Sequence, residues 1–300
     1  MKVHYGFPDS SQIANAVVTT GSFDGVHVGH KVIIDRLKRR ARELQGESVL
    51  ITFYPHPRTV LYPETAGKNL MMINSQVEKI KLLEKLGLDH LIIVEFTMDF
   101  SRTSSVDFIR KLLVSRLQVK HVIIGFNHHF GHKREGDLEY LLELGKFYNF
   151  SVEEIPEQDI HNESVSSTKI RKSLKEGYIQ RANAYLDHPY VLSGHIGSAQ
   201  NFEEIILYPL NSFEDEKLLP PAGGYAISYH AGDMRCKGGL WITQDTTHNI
   251  LLSLEANVGF ALDQTVIFEF HKRISEGLSL ADISALEIER DLQIVEELIY

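Results

Sequence analysis

From residue 16 to about 155, short β-branched runs alternate with longer stretches of helical period, and no other feature constrains the fold of this chain as strongly. The runs are too continuously apolar to be half-exposed. They suit a parallel sheet covered on both faces, and parallel strands need helical crossovers between them. The spacing predicts strands over 16–20, 48–53, 91–96, 121–125 and 151–155. After the first strand, Ile34, Leu37, Ala41 and Leu44 recur at helical spacing and place one apolar stripe on a helix whose other face is basic. Further helices are predicted over 76–86, ended by Gly87 at its C′ position, and over 106–117, 137–147 and 168–176.

Beyond about residue 188 the pattern changes. VLSGH, EEIILYPL, GGYAISYH, GGLWIT, NILLSLEA and TVIFEFH follow one another, separated by Gly, Pro, Asn and Asp, which suggests a small antiparallel barrel closed by a helix over 279–300. A chain of 300 residues exceeds what one core comfortably serves. Two domains are therefore expected, 1–187 and 188–300, with Pro189 interrupting the helix before the boundary.

At 43% hydrophobic and 24% charged residues the composition is that of a soluble globular protein. The first residues lack a signal-peptide core and no run reaches membrane-span length, so a cytoplasmic location is expected. The single cysteine, Cys236, leaves no intrachain disulfide and no thiolate metal cluster. A net charge of −9 argues against broad nucleic-acid binding, and nothing in the sequence fixes an oligomeric state. Locally the balance reverses. Lys31, Arg36, Lys38, Arg39, Arg40 and Arg42 face only Asp35 within 27–42, and Lys169, Arg171, Lys172, Lys175 and Arg181 face only Glu176 within 166–181. These are either solvated helix faces or the electropositive flanks of an anion site.

Thr20-Gly21-Ser22-Phe23-Asp24-Gly25-Val26-His27-Val28-Gly29-His30 lies between the first strand and the basic helix. Gly25 and Gly29 let the backbone approach a ligand, and the helix start turns its unpaired N–H groups and positive dipole end toward it. His27 and His30, three apart, can face the same way and donate to anionic oxygens. Read as zinc ligands they lack an acid or thiol partner at metal-like spacing. Val165-Ser166-Ser167-Thr168-Lys169-Ile170-Arg171 opens a later helix. Alone it is an ordinary Ser/Thr N-cap with surface cations; with the histidine segment it makes a cradle suited to a triphosphate.

Together GSFDGVHVGH and VSSTKIR resemble the bacterial FAD synthetases of the HIGH-type nucleotidyltransferase superfamily. Phe53-Tyr54-Pro55-His56-Pro57 is similar to that family's F-x-P-H-P segment. Gly125-Phe126-Asn127-His128-His129-Phe130-Gly131, followed by Arg134 and Gly136-Asp137, is similar to its G-x-D/N-x-x-F-G segment, and the four motifs span residues 16–186. The resemblance implies a Rossmann-like α/β domain with a parallel sheet, catalysing transfer of AMP from ATP, with Mg²⁺, to FMN to give FAD. It implies ATP contacts at Gly21, Phe23, Asp24, Gly25, His27, Gly29, His30, Ser166, Ser167, Thr168, Lys169 and Arg171, with His27, His30 and Arg171 catalytic. On the flavin side it implies Phe53, His56, Asn127 and Phe130, although a strand Phe such as Phe53 is equally at home in a core. His128, His129 and His132 are neighbours in a glycine-rich loop and are read as loop residues, so no protein metal ligands are assigned.

Relatives of this kind carry a riboflavin kinase barrel at the C-terminus. Leu219-Pro220-Pro221-Ala222-Gly223-Gly224-Tyr225-Ala226 is similar to its L-P-P-x-G-x-Y-x entry; Glu255 matches its catalytic glutamate, and Arg273 with Glu276 its R-x-x-E segment. Its signature G-F-P-T-A-N has no counterpart between Gly194 and Asn211, where the chain reads GHIGSAQNFEEIILYPLN. The expectation is an FMN adenylyltransferase whose barrel has lost kinase activity. A bifunctional riboflavin kinase/FAD synthetase and a noncatalytic flavin or nucleotide sensor are the alternatives.

Overall fold

The structure, a computed structural model, describes residues 1–9, 13–126, 129–156, 159–160, 163–198, 200–202, 205–211, 216–231, 234–243, 250–254, 265–277 and 284–298. Two compact units divide the chain: Met1–Leu70 with Lys79–Val165, and Met71–Glu78 with Ser166–Tyr300.

In the first unit β1 (Lys2–Tyr5), β2 (Val17–Thr20), β3 (Ser48–Tyr54), β4 (His90–Glu95), β5 (His121–Gly125) and β6 (Ser151–Ile155) form one sheet in the order β1-β4-β3-β2-β5-β6. Every pairing is parallel. Side-chain alternation sends Val18, Val49, Ile51, Ile92, Val122 and Ile124 into one buried cluster and Val17, Leu50, Leu91, Ile93 and Ile123 into another, one on each face. The five predicted strands match to within a residue. The edges differ from the central strands. β6 is half-exposed rather than covered on both faces, because two of its five residues (SVEEI) are glutamates, and Glu153 takes cations from the first helix. β1, whose KVHY mixes polar and apolar residues, was not predicted.

The helices are α1 (Val28–Glu43), α2 (Pro57–Leu61), α3 (Gln76–Lys85), α4 (Ser105–Asp107), which continues as a π-helical stretch (Phe108–Val114), and α5 (Leu138–Tyr148). Ile34, Leu37 and Ala41 are buried as the stripe requires, whereas Leu44 caps the C-terminus of α1 and is exposed. A short hairpin, β7 (Asp159–Ile160) with β8 (Glu163–Ser164), ends the unit.

The second unit holds α6 (Ser167–Lys175), α7 (Ile179–Leu186), seven strands and α8 (Ala285–Leu298). The strands are β9 (Tyr190–Ile196), β10 (Gln200–Phe202), β11 (Ile205–Asn211), β12 (Gly223–Ala231), β13 (Met234–Ile242), β14 (Ile250–Leu254) and β15 (Thr265–Arg273). They run antiparallel in the order β10-β11-β14-β13-β12-β15-β9, and β9 pairs back with β11, closing a six-stranded barrel with β10 outside it. Tyr190, Tyr225, Tyr229, Phe268 and Phe270 fill its core. The units divide at 165/166 rather than near 187, where the sequence puts the domain boundary. Asn183 on α7 gives a reason: its side chain donates to the Phe270 carbonyl at 2.8 Å and accepts from Tyr190 N–H at 2.7 Å, which ties α7 to the barrel strands.

Candidate active site

β2 has β3 on one side and β5 on the other, so the order of the sheet reverses here, and the carboxyl ends of such strands are where open α/β sheets take ligands. The segment after β2 makes a tight turn. Gly21 N–H donates to the Ile51 carbonyl at 3.0 Å, and Phe23, Gly25 and Val26 all have positive φ, at 48°, 93° and 43°. Left-handed backbone is costly for an aromatic and for a β-branched residue, and it persists only where its surroundings over-determine it. Here they do: Phe23, Asp24 and Val26 are buried, and the Ser22 carbonyl accepts from Thr52 Oγ1 at 3.1 Å and Lys79 Nζ at 3.2 Å.

The turn delivers the chain into α1 with His27 as N-cap, whose side chain makes no capping hydrogen bond, and the first helical turn holds no acid. The first amides of α1 have no intrahelical acceptor by geometry, so they and the dipole present an anion site. Three rings stand beside it in a stack. Phe23 lies on His30 at 4.4 Å between centroids, and His30 on His27 at 3.6 Å. Absent side chains make room: a Cβ on Gly21 would come within 3.1 Å of the Phe23 ring, and one on Gly29 within 3.3 Å of His27. His30 Nδ1 is buried with no hydrogen-bond partner among the described residues. Desolvation first, then the neighbouring His27 and Lys79, hold the His30 pKa well below the usual imidazole value. Near neutral pH His30 is therefore an uncharged donor, and positive charge at the site comes from the helix and Lys79.

Phe53, at the end of β3, packs with Phe96 at 5.6 Å and Phe100 at 6.0 Å, and these two lie 5.7 Å apart. His56 caps α2, its Nδ1 accepting from Arg58 N–H at 3.1 Å. Phe130 is a core residue: it is buried, lies 6.5 Å from Phe108, and leaves only 2.6 Å for a Cβ on Gly136. Asn127 and His128 lie outside the described residues, and His132 Nδ1 donates to the Ser101 carbonyl at 3.1 Å. The sequence had not pointed to Thr52, Lys79, Phe96 or Phe100. Each looks like routine strand or helix content until the fold brings it to the turn after β2 or the end of β3.

In the second unit Ser166 is the N-cap of α6, its hydroxyl accepting from Lys169 N–H at 3.4 Å, and Thr168 in the first turn is exposed. Arg171 Nε donates to the Met71 carbonyl at 2.9 Å, so one face of its guanidinium serves the backbone. Most of the basic face of α1 is likewise committed. Arg36 and Arg40 reach Glu153 at 2.5 and 3.1 Å, Arg39 and Arg40 reach Glu43, and Lys38 donates to the Leu86 carbonyl. Arg273 donates to the Ala222 carbonyl at 2.6 Å and pairs with Glu276 at 3.2 Å, organising the entry to β12, while Glu255 lies outside the described residues. Trp241 Nε1 and Ser275 Oγ both donate to Asp291 Oδ2, at 3.0 and 2.8 Å, which fastens α8 to the barrel.

The family model for FAD synthetase matches residues 9–169. A bifunctional riboflavin kinase/FMN adenylyltransferase from Listeria monocytogenes is 31% identical over 87% of this chain and 80% of its own length. A protein named FAD synthetase from the same species is 32% identical over 70% of this chain and 80% of its own. A solved structure titled a macrolide-efflux protein from Streptococcus pneumoniae superposes with a TM-score of 0.81 over 96% of each chain at 21% identity, which bears on the fold alone. No helix among the described residues is long and apolar enough to cross a membrane. The matched segment takes in β2, the His27–His30 stack and the start of α6, and by that match and these relatives the chain belongs to the FAD synthetase family.

Proposed function

We propose that this protein transfers AMP from ATP to FMN, giving FAD and pyrophosphate, and that His27 and His30 serve the triphosphate at the start of α1. The observation that carries this reading is the α1 N-terminus without a side-chain cap, with two stacked imidazoles beside it, at the point where the order of the sheet reverses. A phosphate oxygen of FMN attacks the α-phosphorus of ATP in line; the new P–O bond forms as the bond to the β-phosphate bridging oxygen breaks, and pyrophosphate leaves with that oxygen. FMN phosphate is already an anion at neutral pH, so the protein's task is to position two mutually repelling groups and to stabilise charge growing on the leaving group. The amides of α1 and the donors of His27 and His30 suit it. Ser166, Ser167, Thr168, Lys169 and Arg171 are assigned to ATP through their motif, as are Gly21, Phe23, Asp24, Gly25 and Gly29.

Mg²⁺ enters this reading as MgATP, part of the substrate, where it neutralises triphosphate charge. The flavin is assigned to the end of β3, where Phe53, Phe96 and Phe100 offer aromatic faces. His56 and Asn127 are assigned to it through their motifs. Phe130 is likewise assigned to the flavin through its motif alone, since its ring packs in the core.

The barrel is read as a riboflavin kinase fold that has lost its activity, because the stretch from Gly194 to Asn211 offers no G-F-P-T-A-N. The Listeria relative is named for both activities, which favours a bifunctional enzyme as the second reading. Incubating the protein with MgATP and either FMN or riboflavin, with chromatographic separation of the flavins, decides between them. FAD from FMN with riboflavin untouched is the expected result. Consumption of riboflavin would establish the bifunctional reading, and no product from either flavin would sink the transferase reading.

A further inference from the structure

Lys79 belongs to none of the motifs above, yet its ammonium is buried, with the residue only 7% exposed, against the turn that shapes the site. Burying a lysine ammonium is costly unless its charge and donors are used. One donor goes to the Ser22 carbonyl at 3.2 Å, which Thr52 Oγ1 also reaches at 3.1 Å. That carbonyl belongs to the peptide leading into Phe23, the residue held at φ 48°. Two donors converging on one oxygen fix the plane of this peptide and so supply part of the over-determination that a left-handed aromatic residue needs. The direction of the Phe23 ring follows, and His30 and His27 stack on it in turn.

Resting on the transferase reading, we propose that Lys79 is a positioning residue for AMP transfer: its buried ammonium clamps the Ser22 carbonyl, holds the Phe23–His30–His27 stack at the start of α1, and places a fixed positive charge behind the site of the triphosphate. The contact lies wholly within the first unit, from α3 to the turn after β2. The charge has a second consequence. His30 is faced by His27 on its own helix and by Lys79 on α3, and both, after desolvation, push its titration down. Lys79 thereby helps to keep His30 neutral, with a single ring N–H.

The test is a pair of measurements on the full chain carrying Lys79→Met, Lys79→Gln or Lys79→Arg. The first follows the His30 ring protons by NMR from pH 4 to 8 without ATP or flavin, so it remains readable even if the transferase reading fails. The second is steady-state FAD formation. In Lys79→Met the His30 titration should move to higher pH and kcat should fall on the order of 100-fold, as a misplaced reacting geometry does, with KM for ATP changing much less. Lys79→Gln, which keeps an N–H donor for Ser22 but no charge, should move the titration as far while losing less kcat, and it serves if the methionine variant does not fold. Lys79→Arg should restore both. An unmoved His30 titration in both neutral variants, or wild-type kcat in Lys79→Met, overturns the proposal; a fall in melting temperature alone would show a merely structural lysine.

Discussion

Glu78 and Lys217 form an ion pair at 2.6 Å in which both side chains are fully buried, and the partners that surround each allow its removal to be reasoned through. Deleting one member of a buried pair costs about 3–5 kcal/mol, because it leaves a charge without its counter-ion. After Lys217→Met the Glu78 carboxylate still accepts from Ser193 N–H at 2.7 Å, Ser193 Oγ at 3.0 Å and Ser75 N–H at 2.9 Å, and the Ile73 and Val191 carbonyls that lose this donor are better tolerated unsatisfied than amides are, so this variant belongs at the low end, about 3 kcal/mol. After Glu78→Leu the ammonium keeps the Ile73 and Val191 carbonyls, at 2.6 and 2.7 Å, and the Tyr190 ring, but the Ser75 and Ser193 amides lose their acceptor. Each orphaned amide adds about 1–3 kcal/mol, which puts this variant at 5 kcal/mol or above. The double variant orphans the same amides but buries no lone charge. It should therefore fall short of the sum of the two by roughly 1–3 kcal/mol. Trp241, the sole tryptophan, is buried and bonded to α8, and it reports unfolding of this unit in urea. A Lys217→Met variant within 1 kcal/mol of the parent, or two single losses that simply add in the double variant, would refute this account.

Two further outcomes are expected. His30→Ala should lower kcat about 10²–10³-fold, the usual cost of one transition-state donor, while ATP affinity changes far less; equal losses in kcat and binding would show that the ring merely binds. The second concerns His271, which burial first, and Arg235 next, hold below its ordinary value of 6.5, with Glu269 pulling the other way. As pH falls below 6.5 the unfolded chain takes up this proton before the folded one does, so the associated stability is lost from that pH downward and is constant above it. Urea midpoints at pH 7.5 and 5.5 should thus fall further for the parent than for His271→Asn, and identical falls would contradict the sign.

What the sequence revealed was what repeats or what is local. The strands β2 to β5 announce themselves because burial on both faces requires unbroken apolar runs, and the turn before α1 because only glycines and a helix start explain its composition. Edges were less legible. β1, KVHY, is short and of mixed polarity, and β6, SVEEI, carries two glutamates and has only β5 beside it. The division at 165/166 was hidden because it depends on Asn183 meeting Phe270, 87 residues away, and helical period says nothing about such pairings. Within the site, His27 and His30 were legible as a spaced pair, but their stacking on Phe23 was not. Lys79 stood unmarked in a helix of ordinary composition, since burial of a lysine appears only when the fold closes over it. The basic face of α1 allowed two readings, and its contacts favour the plain helix face, since most of its cations answer carboxylates or carbonyls.

The most direct test of the central claim follows the α-phosphorus. With ATP labelled at that atom, and with FMN and Mg²⁺, the account predicts label in FAD and one pyrophosphate released for each FAD formed. Label that stays in ATP, or passes to ADP or AMP without reaching the flavin, would contradict it.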